Sequence, residues 1–161
     1  TITSAHIKQA LHRLRTHATA GADGMPAEAH HALGEVEGGH QSIANLFNFM
    51  ITSAYWPPDW NVLILIALLK PGKQPHLPSS YRPIHLQVVL AKLFCVVMDT
   101  ELRRTLDLQS LLSQQFGFRA ERSTRDCVFI IRELIRHFVR KKLSLYLTFY
   151  DFEKAFDKVV R

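Results

Sequence analysis

The sequence predicts a mixed α/β (α+β) protein, rich in helix, with a small antiparallel sheet. Three observations carry that expectation. Hydrophobic residues make up 47% of the 161 positions, enough to build a core. Most long segments repeat apolar residues at helical spacing. Two segments, "NVLILIALLK" and "LSLYLTFY", read instead as strands, the first apolar on both faces and the second alternating.

The first element is a helix over "SAHIKQALHRLRTH", in which Ile7, Ala10, Leu11 and Leu14 share a face. "ATAGADGMPAEAHH" breaks it: Gly21 and Asp23-Gly24 are turn chemistry, and Pro26 suits the first turn of a second helix. "GEVEGGHQ" is a further break. His30, His31 and His40 fit a surface segment better than a ligand cluster. "SIANLFNFMITSAY" is a strong helix with Ile43, Leu46, Phe47, Met50 and Ala54 in phase and Ser42 as its expected N-cap, and "WPPDW" ends it. "NVLILIALLK", apolar on both sides, is expected to be a central or covered strand, and it is too short to span a bilayer.

"PGKQPHLPSSYRP" is a long exposed connection, and loops of this size are often functional. "VVLAKLFCVVMDTELRRTL" is helical and apolar all round in its first half, which implies deep burial. "QSLLSQQFGFRAERS" is irregular. "STRDCVFIIRELIRHFVRKK" opens with a capping box, Ser123 with Asp126. Its apolar stripe is Cys127, Ile131, Leu134 and Phe138, and Arg132, Arg136, His137 and Arg140 form an opposite basic face. In "LSLYLTFY", Leu143, Leu145, Leu147 and Phe149 alternate with Ser144, Tyr146, Thr148 and Tyr150. "FEKAFDKVVR" then returns to helical spacing through Phe152, Ala155, Phe156, Val159 and Val160.

Twenty Lys and Arg stand against fourteen Asp and Glu, a formal charge of +6, with a pI near 9.6. That balance leans towards a polyanionic partner. Cys95 and Cys127 both fall in apolar helical patterns and read as buried free thiols of a reducing compartment. No CxxC or tight Cys/His set offers a zinc site, and no GxxxxGK(S/T) loop offers ordinary phosphate-loop nucleotide binding. The start, "TITSAHIKQALHRLRTH", lacks a signal-peptide layout and an initiator methionine, which fits a piece of a longer protein.

Asp151 is the residue on which function turns. At a strand-to-helix junction it serves either as an N-cap or as a hard oxygen ligand for Mg²⁺, and the residues by themselves leave both open. Strict alternation would set it on the apolar side with Leu147 and Phe149, so the strand must end, twist or bulge for the carboxylate to reach a wet cleft. Asp157 reads as a solvated or structural charge within reach of Arg161. Lys70, Lys73 and Arg82 flank the Pro-rich loop, either as a solvated basic loop or as a phosphate clamp.

Four motifs in order, "LLKPGK", "SSYRPIHL", "QQFGFRAERSTRD" and "FYDFEKAFD", together with "GADGMPAE" near the start, resemble the reverse transcriptase domain of non-LTR (LINE-type) retrotransposons. The resemblance runs from about Gly21 to Arg161. It implies the fingers and the start of the palm of a right-hand polymerase fold: residues 1–140 as fingers and palm-entry helices, and 143–161 as the first palm strand and catalytic motif. It also implies an RNA-directed DNA polymerase that extends a 3′-OH on an RNA template with dNTPs, through two Mg²⁺ ions, with RNA template and DNA primer as partners and an intracellular, nuclear location. Asp151 would be the catalytic metal ligand, with the backbone carbonyl of Phe152 beside it. Phe156 would lie under the sugar of the incoming nucleotide, and Lys70 and Arg82 would grip its triphosphate. Gln115, Gly117 and Arg119 match a signature near the template path, and Lys73 is a further nucleic-acid contact.

Ile84-His85-Leu86 and Ala22 depart from the family pattern in small ways. The larger departure is that the family's second acidic motif, Tyr/Phe-x-Asp-Asp, is not among these 161 residues. One carboxylate does not hold two metals about 3.5–4 Å apart, so this chain alone is expected to be inactive. Two alternatives stand beside the leading expectation: a group II intron-type reverse transcriptase or maturase, and a decayed or domesticated basic nucleic-acid-binding module without catalysis.

Overall fold

Ile7, Ala10 and Leu11 recur at helical spacing because one side of α1, Ser4–Leu11, is buried. The computed structural model describes residues 1–106, 114–119, 121–152, 155, 158 and 159. They fall in two compact units, Thr1–Leu108 and Gln109–Arg161. In the first unit α2, Ala27–Glu35, and α3, Gly39–Ser53, follow α1. A 3₁₀ turn at Pro58–Asn61 leads to β1, Ile64–Leu69, and a second at Pro78–Ser80 leads to β2, Tyr81–Leu86. α4, Val89–Thr105, completes the unit. The second unit holds α5, Thr124–Arg140. No helix among the described residues is long and apolar enough to cross a membrane.

The core of the first unit lies among α1, α3 and α4. Phe47 of α3 and Leu93 and Val97 of α4 are fully buried, and each such side chain contributes roughly 1.5–3 kcal/mol. Phe47 meets Phe94 edge-on with ring centres 5.1 Å apart and Trp60 edge-on at 6.5 Å, while Trp56 stands edge-on to Trp60 at 5.2 Å. "WPPDW" therefore does more than end a helix, since its second tryptophan closes the core. The N-terminal strand of chain is tied to α3 in both directions: Ile2 N–H donates to Asn48 Oδ1 at 2.8 Å, and Asn48 Nδ2 donates back to the Ile2 carbonyl at 2.7 Å.

Several expectations change in three dimensions. α3 begins at Gly39, not after Ser42. Gly38 takes φ +75°, and the Gly39 N–H turns back onto the Val36 carbonyl at 2.9 Å. The Ser42 hydroxyl then lies inside the helix, donating to the Gly38 carbonyl at 3.0 Å. His30 is a core residue, not a surface one, with its ring against the Pro26 carbonyl at 3.1 Å. α4 buries one face rather than its whole first half, leaving Cys95 exposed as a residue, although neighbouring atoms desolvate its thiol enough to raise its pKa. β1 is neither central nor covered. Among the described residues it pairs with β2 alone, and all six of its residues are exposed. Its two-sided apolar pattern signals a strand without a covering layer here.

The capping box of α5 forms as expected: Ser123 N–H donates to Asp126 Oδ2 at 2.8 Å, and the Ser123 side chain accepts from the Asp126 backbone in return. None of its residues is buried. Residues 143–150, expected as a strand, take no regular structure. A strand needs a partner for its N–H and C=O groups, and among the described residues the sole ladder is β1 with β2. The alternating pattern is present, but Tyr146 is 91% exposed and Tyr150 86%.

Gly21 has a different role from the turn residue its neighbours suggest. A Cβ there would stand 2.5 Å from the backbone nitrogen of Val88 and 2.6 Å from the Gln87 carbonyl. The turn itself belongs to Gly24, at φ +69°, whose N–H donates to the Gly21 carbonyl at 3.1 Å. Gly21→Ala is expected to destabilise the chain by about 1–3 kcal/mol, because backbone rather than a flexible side chain has to move. Gly24→Ala is expected to cost less, about 1 kcal/mol, through φ alone. Urea denaturation of both variants measures the order, and equal midpoints would remove the close-packing explanation.

Candidate functional site

β1 and β2 pair in antiparallel register, with Leu68 opposite Arg82 and Leu69 opposite Tyr81. The Lys70 N–H continues the ladder onto the Ser80 carbonyl at 2.8 Å. Lys70 lies two residues beyond Leu68, and strand side chains alternate, so Lys70 and Arg82 share one face. Two cations twelve positions apart in sequence are thus brought to the open end of one hairpin, joined by the Pro-rich loop.

Their surroundings differ. Lys70 is half-buried, and its ammonium donates to the Ser79 carbonyl at 2.8 Å. Arg82 is exposed, and its guanidinium makes no hydrogen bond or ion pair with a described residue. A fork of five N–H donors without a carboxylate partner among the described residues is suited to an incoming anion. Lys73 is exposed in the loop, its N–H donating to the Lys70 carbonyl at 3.1 Å through a turn that needs Gly72 at φ +72°. The Tyr81 hydroxyl donates to the Pro75 carbonyl at 2.8 Å and ties the far side of the loop to β2.

In the second unit Gln115, Gly117 and Arg119 form one local knot. Gln115 Nε2 donates to the Gly117 carbonyl at 3.0 Å, and the Arg119 guanidinium donates to the Gln115 carbonyl at 3.2 Å. Phe118 turns outward between them at φ +59°. Arg122 lies over the Phe116 ring at 5.5 Å. These contacts fix the shape of "QQFGFR" locally and leave an aromatic ring facing water.

Asp151 follows the irregular 143–150 segment. It is exposed, as is Phe152, and its carboxylate makes no hydrogen bond or ion pair with a described residue. An exposed carboxylate with a backbone carbonyl next to it fits a hard divalent cation that keeps most of its shell for water or phosphate. Among the described residues no three His, Cys, Asp or Glu side chains gather. Phe156 and Asp157 lie outside the described residues.

No family model matches the chain. Named proteins of Drosophila melanogaster do. It is 33% identical over 150 residues, 91% of its length, to a 115 kDa protein in the type-1 retrotransposable element R1DM. It is 30% identical over 118 residues, 73% of its length, to a probable RNA-directed DNA polymerase from transposon BS, and 28% identical over 120 residues, 74% of its length, to the RNA-directed DNA polymerase from mobile element jockey. The chain spans 13–14% of the length of these relatives.

The loop at the hairpin's open end depends on few bonds. Tyr81→Phe removes the anchor on Pro75 without changing the ring, and one such bond contributes about 1 kcal/mol. Amide exchange in residues 72–79 is expected to quicken about fivefold while that of α3 and α4 stays unchanged. Unchanged loop exchange would mean that the Pro residues alone hold the loop.

Proposed function

We propose, from a chain that belongs to the reverse transcriptase region of non-LTR retrotransposons, that the protein carrying it extends a primer 3′-OH on an RNA template with dNTPs, and that this segment supplies grip on the nucleotide. The observation that carries the reading is the shared face of Lys70 and Arg82 on one hairpin, with the Arg82 guanidinium without a partner among the described residues. In this reading Arg82 forks onto phosphate oxygens and Lys70 exchanges the Ser79 carbonyl for the same anion, which offsets part of its desolvation. The Asp151 carboxylate and the Phe152 carbonyl are the oxygens that would hold a Mg²⁺ ion, whose charge would favour the attacking and leaving oxygens of nucleotidyl transfer. Phe156 would exclude a 2′-OH by bulk. Gln115, Gly117, Arg119 and Lys73 would lie along the template. Such work on primer DNA fits a nuclear location, and the named relatives favour the non-LTR reading over a group II intron one.

The test uses a protein that contains this segment and the remainder of its polymerase region. Arg82→Ala is expected to raise the KM for dNTP about tenfold or more, the worth of one charge-assisted contact. Asp151→Asn is expected to cut kcat by about 10³-fold, and Phe156→Ala to raise ribonucleotide incorporation. The isolated 161-residue chain is expected to give no extension. An Arg82→Ala enzyme with unchanged KM removes the phosphate-grip assignment.

A second, non-catalytic reading has its own support in the second unit. Arg132, Arg136 and Arg140 recur every four residues along α5, Lys141 and Lys142 follow, and the outward rings of Tyr146, Phe149 and Tyr150 come next. Cations beside exposed rings suit single-stranded nucleic acid, whose phosphates pair and whose bases stack. Glu133 offsets part of that charge, lying 2.8 Å from Arg136 and 3.5 Å from Arg132. With about four phosphate contacts, log K is expected to fall with log salt at a slope near −3, with little sequence preference. Salt-independent affinity would defeat the electrostatic account.

A further inference from the structure

Two phenylalanines flank Gly117 in "QQFGFRAERSTRD", and the fold treats them differently. Phe116 is half-buried, with the Arg122 guanidinium over its ring at 5.5 Å. Phe118 is 83% exposed. Its backbone lies at φ +59°, the left-handed region that bulky side chains rarely adopt. Both features cost free energy, since one leaves a large ring in water and the other strains the chain. Backbone of this kind clusters at sites that clamp a ligand.

The backbone that carries this ring is fixed on both sides. Gln115 Nε2 donates to the Gly117 carbonyl at 3.0 Å, and the Arg119 guanidinium donates to the Gln115 carbonyl at 3.2 Å. Downstream, the Ser123–Asp126 box anchors the segment to α5. A ring presented on backbone already ordered binds with less loss of chain entropy. The charge around it selects the ligand. Arg119, Arg122 and Arg125 recur every three residues, and Glu121 is the sole acid between Gln115 and Arg125. An apolar protein partner would desolvate these cations without pairing them. A single-stranded nucleic acid supplies phosphates for the cations and an unpaired base for the ring, whereas a duplex keeps its base faces in its own stack.

We propose that Phe118 is a stacking platform for one unpaired base of a single-stranded nucleic acid, with the flanking phosphates on the Arg122 and Arg125 guanidiniums. This role rests on the nucleic-acid reading above, to which it adds recognition of a base face. It is independent of the dNTP grip at Lys70 and Arg82.

The probes are two RNA strands of about eight nucleotides, one of uridines and one abasic with the same number of phosphates. Each is titrated into the full 161-residue chain without dNTP or divalent metal. The uridine strand is expected to bind about tenfold more tightly than the abasic one, and the Phe118 ring protons are expected to move upfield in its complex, as a base stacked on them requires. Phe118→Leu keeps an apolar side chain at an exposed position and removes the ring. It should weaken the uridine strand about tenfold and leave the abasic strand unchanged, and Phe118→Trp should restore the difference. Unchanged uridine affinity in Phe118→Leu, an equal loss for both strands, or no upfield shift of the ring would each overturn the stacking role. Salt-sensitive binding that ignores the bases would also overturn it while leaving the electrostatic reading in place, and no binding of either strand at low salt would remove both.

Discussion

The edge-on contact of Phe47 with both Phe94 and Trp60 is the interaction on which the described first unit depends. Phe47 belongs to α3, Phe94 to α4, and Trp60 to the turn between α3 and β1. Ring quadrupoles favour this arrangement over a face-to-face stack, and large aromatic side chains carry much of the apolar burial of a core. The consequence is directional. Trp60 lies four residues before β1, so sinking its ring into the core fixes where the hairpin leaves the helices.

The other foot of the hairpin is fixed by a different kind of constraint. β2 ends at Leu86, and Gln87 and Val88 pass directly under Gly21, with room for a hydrogen and none for a methyl group. Val88 and Val89 are then buried as α4 begins. Both ends are therefore held by packed atoms, while the strands between them have water on both faces. Lys70 and Arg82 inherit their relation from the ladder, since register rather than core packing sets two cations side by side at the open end. The loop beyond them is held by single hydrogen bonds, a low-stability element on a fixed base, and such elements are where ligand grip and release tend to reside.

The second unit shows the opposite balance. α5 is well begun by its capping box and strongly amphipathic by pattern, yet it buries none of its residues. Helical spacing and caps suffice to form the helix, but its apolar stripe finds no layer among the described residues. The 143–150 segment is a parallel case: period-2 alternation selects which side chains would share a face, but a strand exists only through a neighbour's N–H and C=O groups. Asp151 consequently sits on exposed backbone, and among the described residues it is not gathered with two other His, Cys, Asp or Glu side chains.

The sequence by itself determined the helices, because 3.6-residue periodicity, the Ser123–Asp126 box and the Pro and Gly breaks are local properties. The exposed connection "PGKQPHLPSS" was legible from its Pro, Gly and Ser, but the strand that pairs with β1 beyond it was not. What sets each surface's exposure was not. An apolar run such as "ILIALL" reads the same whether covered or bare, and only the count of layers around it decides. "HH" in a polar stretch gave no sign that His30 would face inward, because its burial depends on where α2 lies against α3. The role of Gly21 was hidden for the same reason: its sequence neighbours describe a turn, but the atoms that forbid a side chain there belong to Gln87 and Val88, more than sixty positions away, and only tertiary packing brings them together.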